Sequence, residues 1–322
     1  MIGSLITISS NNWMMMWMGL EINLLSIIPL MSNTKNKMES EAAMKYFITQ
    51  ALASTAFMLA IIFMMTKSNT SSTKTMTSLI MDSALLTKMG AAPFHFWFPE
   101  VMEGLSWMNS LIMLTWQKIA PMIAFMYLTK SITFVSMSIL ASMLISGTMG
   151  TNQTSLRKIL TYSSINHIGW LMGAILSNQL TWLIYMSVYA LTTMNMITMF
   201  FMTKALSIYQ MTNKMNSNKT MKMLFTLNFL SLGGIPPFIG FFPKWIVIME
   251  MNSLNMHTLT FIMIIATLLT MFFYMRIMFS TLTMSTTETL KITPMQNKST
   301  TMTLTTMTLT SLILCPLMIN YS

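Results

Sequence analysis

Four ionisable side chains stand where the surrounding sequence is hydrocarbon: Glu21, Lys88, Lys118 and Lys244. A charged side chain at the centre of a bilayer costs roughly 2.5–3.5 kcal/mol on insertion scales, so residues of this kind are functional by default. The chemistry they offer is proton binding and release. Removal from water favours the neutral amine, and an approaching carboxylate favours the ammonium. At 4 Å and an effective dielectric near 20, a Glu–Lys pair is worth on the order of 4 kcal/mol. Moving Glu21 toward or away from a lysine would therefore load or unload a proton. Two histidines stand beside these four. His95, in PFHFWFP, either extends such a path or caps carbonyls freed by the neighbouring chain break. His167, in YSSINHIGWLMG, is either a relay member or a hydrogen-bonded packing residue.

Depth places the four. At 1.5 Å per helical residue, Glu21 lies about 12 Å from one end of an apolar run over 13–32 and about 16 Å from the other. Lys88 lies about 18 Å into a run over 76–101, and Lys118 about 18 Å into a run over 106–129. Gly90 and Pro93 interrupt the run that holds Lys88, and Pro121 is expected to kink the next one. A second broken run spans 221–251, where Gly233-Gly234 and Pro236-Pro237 stop a helix before Lys244. Backbone groups freed at such depth are tolerated only where protein or a wet cavity satisfies them. Paired interrupted segments are a sequence pointer to the ion path of a transporter.

These runs belong to a chain of 322 residues with a mean hydropathy of +0.61 and only 8% charged residues. A soluble domain carries about 25% charged residues, so this is an all-α polytopic membrane protein. Further runs at 41–66, 132–150, 157–177, 180–206, 256–281 and 301–319 give ten full spans. With a short stub at 1–10 they form a single transmembrane domain over 1–322. The stretches 203–221 and 282–300 are polar. Glu41 and Lys45 are i,i+4 neighbours and read as a pair at the membrane edge. Glu100 and Glu103 read as solvated, His257 as a helix-start residue without a role, and Arg276 as snorkelling to the basic side. Gly169 and Gly173 offer a close-packing face.

Loop charge sets orientation. Alternating the loops puts Lys35, Lys37, Arg157, Lys158, Lys204, Lys214, Lys219, Lys222, Lys291 and Lys298 on one side. Only Lys67, Lys74 and Lys130 fall on the other. The basic side faces the matrix or cytoplasm, and the C-terminus faces the opposite compartment. The net charge of +10 thus reads as membrane orientation rather than affinity for nucleic acid. The one cysteine, Cys315, builds no disulfide, zinc or iron–sulfur site by itself. No dinucleotide or P-loop glycine pattern occurs, and no basic N-terminal region marks a targeting peptide. The 44 methionines fit a mitochondrial genetic code and an organelle-encoded chain, an association rather than a physical argument.

The segments KMGAAPFHFWFPEV, LTWQKIAP, RKILTYSSINHIGW and LSLGGIPPFIGFFPKW, with WMGLEINLLSIIPL and EAAMKYFITQALAS, resemble the NADH dehydrogenase subunit 2 family in its insect-like form. Its members are mitochondrially encoded membrane subunits of respiratory complex I. The resemblance covers essentially the whole chain, and implies an antiporter-like helix bundle with two discontinuous transmembrane helices. It carries the family's functional residues onto Glu21, Lys88, Lys118 and Lys244, the four selected by depth. It further implies the mitochondrial inner membrane, lipid contact, and other membrane-arm subunits as partners. NADH, FMN, iron–sulfur clusters and ubiquinone are then bound elsewhere in the complex, with no cofactor or metal on this chain. The chain departs from the family by beginning within its first helix. Two other readings share the buried lysines. A stand-alone cation/proton antiporter would exchange ions as a purified chain in liposomes. A non-pumping structural subunit would lose only assembly when its buried charges are neutralised.

Overall fold

A backbone immersed in hydrocarbon has to satisfy its own N–H and C=O groups, and the α-helix does so within one segment. The computed structural model describes residues 1–33, 36–65, 71–128, 131–215, 219–236 and 238–283, and among these every extended element is a helix. The chain divides into two compact units, Met1–Ser142 and the part from Met143 onward.

The first unit holds α1 (Ile2–Ser9), α2 (Trp13–Met31), α3 (Lys37–Met65), α4 (Ser71–Met89), α5 (Trp97–Gly104), α6 (Trp107–Leu114), α7 (Trp116–Met126) and the start of α8 (Ile132–Thr151). The stub at the N-terminus is helical and lies against α2. A Cβ at Gly3 would come 2.7 Å from the carbonyl oxygen of Gly19, so only glycines allow this approach. Helix α4 packs against both α3 and α7.

The second unit holds the rest of α8, then α9 (Leu156–Ser177), α10 (Gln179–Thr203), α11 (Ile208–Met215), α12 (Lys219–Gly233), α13 (Phe241–Ser253) and α14 (His257–Thr283). Helix α9 is buried almost without interruption from Leu156 to Ile175, so it forms the centre of this unit. The hydroxyl-rich composition of α9 follows, because its polar groups meet protein rather than lipid. Conversely, Phe261, Leu268 and Phe272 on α14 and Leu52, Leu59 and Ile62 on α3 are exposed apolar residues, as lipid-facing positions require. Among the described residues α2, α3, α8, α10 and α14 are long and apolar enough to cross a membrane unaided.

Most predicted spans fall on helices with nearly the same ends. Two differ. The run over 106–129 is two helices that meet at Thr115 (φ −111°, ψ −72°), and Pro121 lies inside α7. The Thr115 side chain bonds back to the Leu111 carbonyl at 2.8 Å, and the Lys118 amide reaches only to the Thr115 carbonyl at 3.4 Å. The helix therefore adjusts one turn ahead of the proline, whose ring crowds the Gln117 carbonyl and whose nitrogen cannot donate to it. The polar stretch 203–221 contains α11. Its Lys214 donates to the carbonyls of Thr203 (2.7 Å) and Lys204 (3.1 Å), closing the end of α10 where Lys204 is left-handed (φ 48°). The expected span over 301–319, most of the polar 282–300 stretch, Cys315 and the C-terminus lie outside the described residues, as do Lys35, Lys67, Lys130 and Pro237.

Candidate functional site

Both chain breaks are built the same way. Helix α4 ends with the Gly90 amide bonded to the Thr87 carbonyl (3.2 Å) and the Ala91 amide to the Leu86 carbonyl (3.0 Å). Helix α12 ends with the Gly234 amide on the Ser231 carbonyl (3.1 Å) and the Ile235 amide on the Leu230 carbonyl (3.4 Å). This double closure needs a left-handed residue, and Gly90 (φ 74°) and Gly234 (φ 78°) supply it without a Cβ clash. In each case a side chain from the following helix then reaches back to a carbonyl of the closed end. At the first break the Trp97 indole donates to the Thr87 carbonyl at 3.0 Å. At the second, Lys244 Nζ donates to the Gly233 carbonyl at 2.7 Å.

In the first unit, Glu21 on α2 and Lys88 on α4 are electrostatically coupled. Glu21 Oε2 and Lys88 Nζ are both buried and neither has a hydrogen-bond partner. They do not touch: among the described residues, contact ion pairs are those of Lys45 with Glu41 and Glu100, each at 3.0 Å on the exposed surface. Lys118, only 2% exposed, holds its ammonium 5.2 Å from the centre of the Phe98 ring, in the first turn after the break. Such a contact favours the ammonium form, against the burial that favours the neutral amine. Asn23 and Gln117 join the helices that carry Glu21 and Lys118. Asn23 Nδ2 donates to Gln117 Oε1 at 2.8 Å, and Gln117 Nε2 returns a bond to Asn23 Oδ1 at 3.3 Å. His95 is buried inside the break, with Nδ1 3.3 Å from the Pro93 carbonyl and its ring 4.4 Å from that of Phe96.

In the second unit, Lys244 is 6% exposed and its stem lies over Gly234, where a Cβ would come within 2.8 Å of Nζ. Helix α13, which carries it, packs on α9, with Val247 and Met263 filling the space beside Gly173. His167 on α9 meets the Tyr185 hydroxyl at 2.9 Å and lies 5.0 Å from the Tyr189 ring. Ser163 and Ser164 on the same helix turn their hydroxyls onto the carbonyls of Leu160 (2.8 Å) and Thr161 (2.7 Å). His167 thus stands among buried hydroxyl-bearing side chains.

Each unit therefore holds its own members of the predicted set: Glu21, Lys88, Lys118 and His95 in the first, Lys244 and His167 in the second. Glu100 is exposed but paired with Lys45. His257 is exposed beside Asn252, and Arg276 donates to the Gln153 carbonyl at 3.2 Å, in the loop before Arg157 and Lys158. Sequence reasoning missed Trp97, the Asn23–Gln117 pair, the tyrosines around His167, and Asp82. Only Asp82 had a plain signal, a carboxylate in the apolar part of the 76–101 run ahead of Lys88. Among the described residues no group of three His, Cys, Asp or Glu gathers to hold a metal.

A family model described as NADH:quinone oxidoreductase/Mrp antiporter, transmembrane, matches residues 10–270, so fold and sequence together define an antiporter-like, all-helical polytopic membrane protein. Solved structures agree on the fold. A chain of respiratory complex I from Thermus thermophilus superposes with a TM-score of 0.86 at 20% identity, over 97% of this chain and 75% of that one. A chain of the Mrp complex from Dietzia gives 0.76 at 16% identity, over 85% and 57%. NADH-ubiquinone oxidoreductase chain 2 of Anopheles gambiae is 48% identical over 86% of this chain and 82% of its own, and that of Locusta migratoria 43% identical over 88% and 83%. The chain belongs to the NADH-ubiquinone oxidoreductase chain 2 family, as its antiporter-like membrane subunit.

Proposed function

We propose that this chain is a core membrane-arm subunit of respiratory complex I and carries part of its proton-translocation path on Glu21, Lys88, Lys118 and Lys244. The carrying observation is the Glu21–Lys88 arrangement: an acid and an amine within electrostatic range but not in contact, with Glu21 Oε2 and Lys88 Nζ each buried without a hydrogen bond. A small displacement that brings them together favours the ammonium, and one that separates them favours release. Quinone reduction elsewhere in the complex drives that displacement. Lys118 takes the proton from Lys88 and hands it on toward Lys244, with His95 and His167 as possible further members. The pairs α4/α5 and α12/α13 act as two discontinuous transmembrane helices, whose gaps admit water to the lysines. The whole chain then works as one antiporter-like transmembrane domain.

The same reading sets location and partners. The chain resides in the mitochondrial inner membrane among the other membrane-arm subunits and lipid, with its basic loops to the matrix and its C-terminus to the intermembrane space. It binds no nucleic acid. NADH, FMN, iron–sulfur clusters and ubiquinone belong to the wider complex. The test is Lys118→Met in the assembled complex. Proton pumping is expected to be lost and NADH turnover reduced. Unchanged pumping and turnover would overturn the relay.

A further inference from the structure

Among the described residues the proposed relay leaves one fully buried carboxyl unused. Asp82 lies in the middle of α4 and is 0% exposed. One carboxyl oxygen, Oδ2, accepts from the Ser131 hydroxyl at 2.9 Å. The other, Oδ1, is buried with no hydrogen-bond partner. No contact ion pair reaches it among the described residues. A buried carboxylate satisfied on one oxygen only is costly, and a proton on the bare oxygen removes most of that cost. Ser131 is also the residue whose carbonyl accepts the Val135 amide at 3.1 Å, so Asp82 sits at the first turn of α8. The positive end of a helix favours an anion there. Two opposing influences therefore act on one carboxyl: burial toward the acid, and the helix end with its hydroxyl toward the carboxylate.

We propose that Asp82 is a further proton-binding group of the first unit, a carboxyl that takes up a proton on Oδ1 and releases it during turnover. The inference rests on the relay proposed above. Asp82 is six residues before Lys88 on α4, about 9 Å along the axis at 1.5 Å per residue. It therefore joins the stretch of α4 that carries Lys88 to the turn that starts α8. The proton bound there comes from, or returns to, the relay lysines or the water beyond that turn. The titratable groups on the packed elements are few. Helix α3 offers Lys37, Glu39, Glu41, Lys45 and Tyr46, all near its start, and α7 offers Lys118. Tyr127 follows α7, and Lys130 lies outside the described residues. Ser131 acts as a positioning residue, since it fixes one oxygen and leaves the other open.

The test is infrared difference spectroscopy of the assembled complex under turnover, with wild type, Asp82→Asn, Asp82→Glu and Ser131→Ala, alongside pumping measurements. A protonated-carboxyl C=O band is expected in wild type, sensitive to deuterium, absent in Asp82→Asn, restored in Asp82→Glu, and shifted in Ser131→Ala by loss of its hydrogen bond. Should Asp82→Asn fail to assemble, Ser131→Ala decides: a shifted band supports the proposal and an unmoved spectrum overturns it. A spectrum identical in wild type and Asp82→Asn also overturns it. Comparison with Lys118→Met separates the two readings, because loss of pumping there with an unchanged Asp82→Asn spectrum leaves the relay standing without Asp82.

Discussion

Replacing Lys244 by methionine keeps an unbranched stem of similar length over Gly234 and removes both the charge and the donor. The Gly233 carbonyl then loses a charge-assisted bond of 2.7 Å in a buried setting. Bonds of this kind contribute about 1.5–3 kcal/mol, and each 1.4 kcal/mol is about a factor of ten in an equilibrium. Local opening of the α12 end should thus become roughly 10- to 150-fold more frequent. The amides to watch are Gly234 and Ile235, which bond to the Leu230 carbonyl at 3.0 and 3.4 Å. Hydrogen exchange of the peptide over 230–240, followed by mass spectrometry in the assembled complex, should speed up by that factor, and pumping should fail. Lys244→Arg separates the two roles. A guanidinium still donates to the carbonyl but does not give up its proton. Protection should stay near wild type while pumping is lost. Exchange unchanged in Lys244→Met would refute the structural half of the argument, and wild-type pumping in Lys244→Arg would refute the proton-release half.

Gly240→Ala should be far less tolerated than its size suggests. A Cβ at Gly240 would overlap the Ser231 carbonyl oxygen, a backbone atom that cannot rotate away. The amount of chain recovered in the assembled complex, read on a native gel, should fall severely, and normal recovery would contradict the close approach across the break. Asn23→Ala and Gln117→Ala should each destabilise the complex by about 1–3 kcal/mol, because each leaves the opposite amide without its partner. The double variant should cost less than the sum, with a coupling of about 0.5–2 kcal/mol in thermal unfolding. Strict additivity would show that the pair does not hold α2 to α7.

The sequence by itself determined the properties that are local along one chain. Composition fixed the membrane class, because 8% charged residues cannot solvate a chain of this length. Helical rise singled out Glu21, Lys88 and Lys118 as expected mid-span residues from counting alone, and the break before it singled out Lys244. Gly90, Gly234 and the neighbouring prolines marked both breaks, since left-handed closure and a missing N–H are properties of those residue types. The same local reasoning failed at α11, whose polar sequence hides a helix fastened through Lys214 to the end of α10. It gave no sign of the boundary at Thr115, because a proline signals a disturbance without saying which neighbouring turns share it.

Tertiary structure alone decided which faces meet. Asn23 and Gln117 are 94 residues apart, and Asp82 and Ser131 are 49 apart. No periodicity announces such partners, because contact between helices depends on rotation and packing of whole segments. The direction of each buried lysine was equally out of reach. Lys88 leaves its ammonium without a hydrogen bond near Glu21, whereas Lys244 turns its own onto a backbone carbonyl. The two residue types are the same. The environment each helix finds, a carboxylate short of contact for one and an opened helix end for the other, sets what the amine can do.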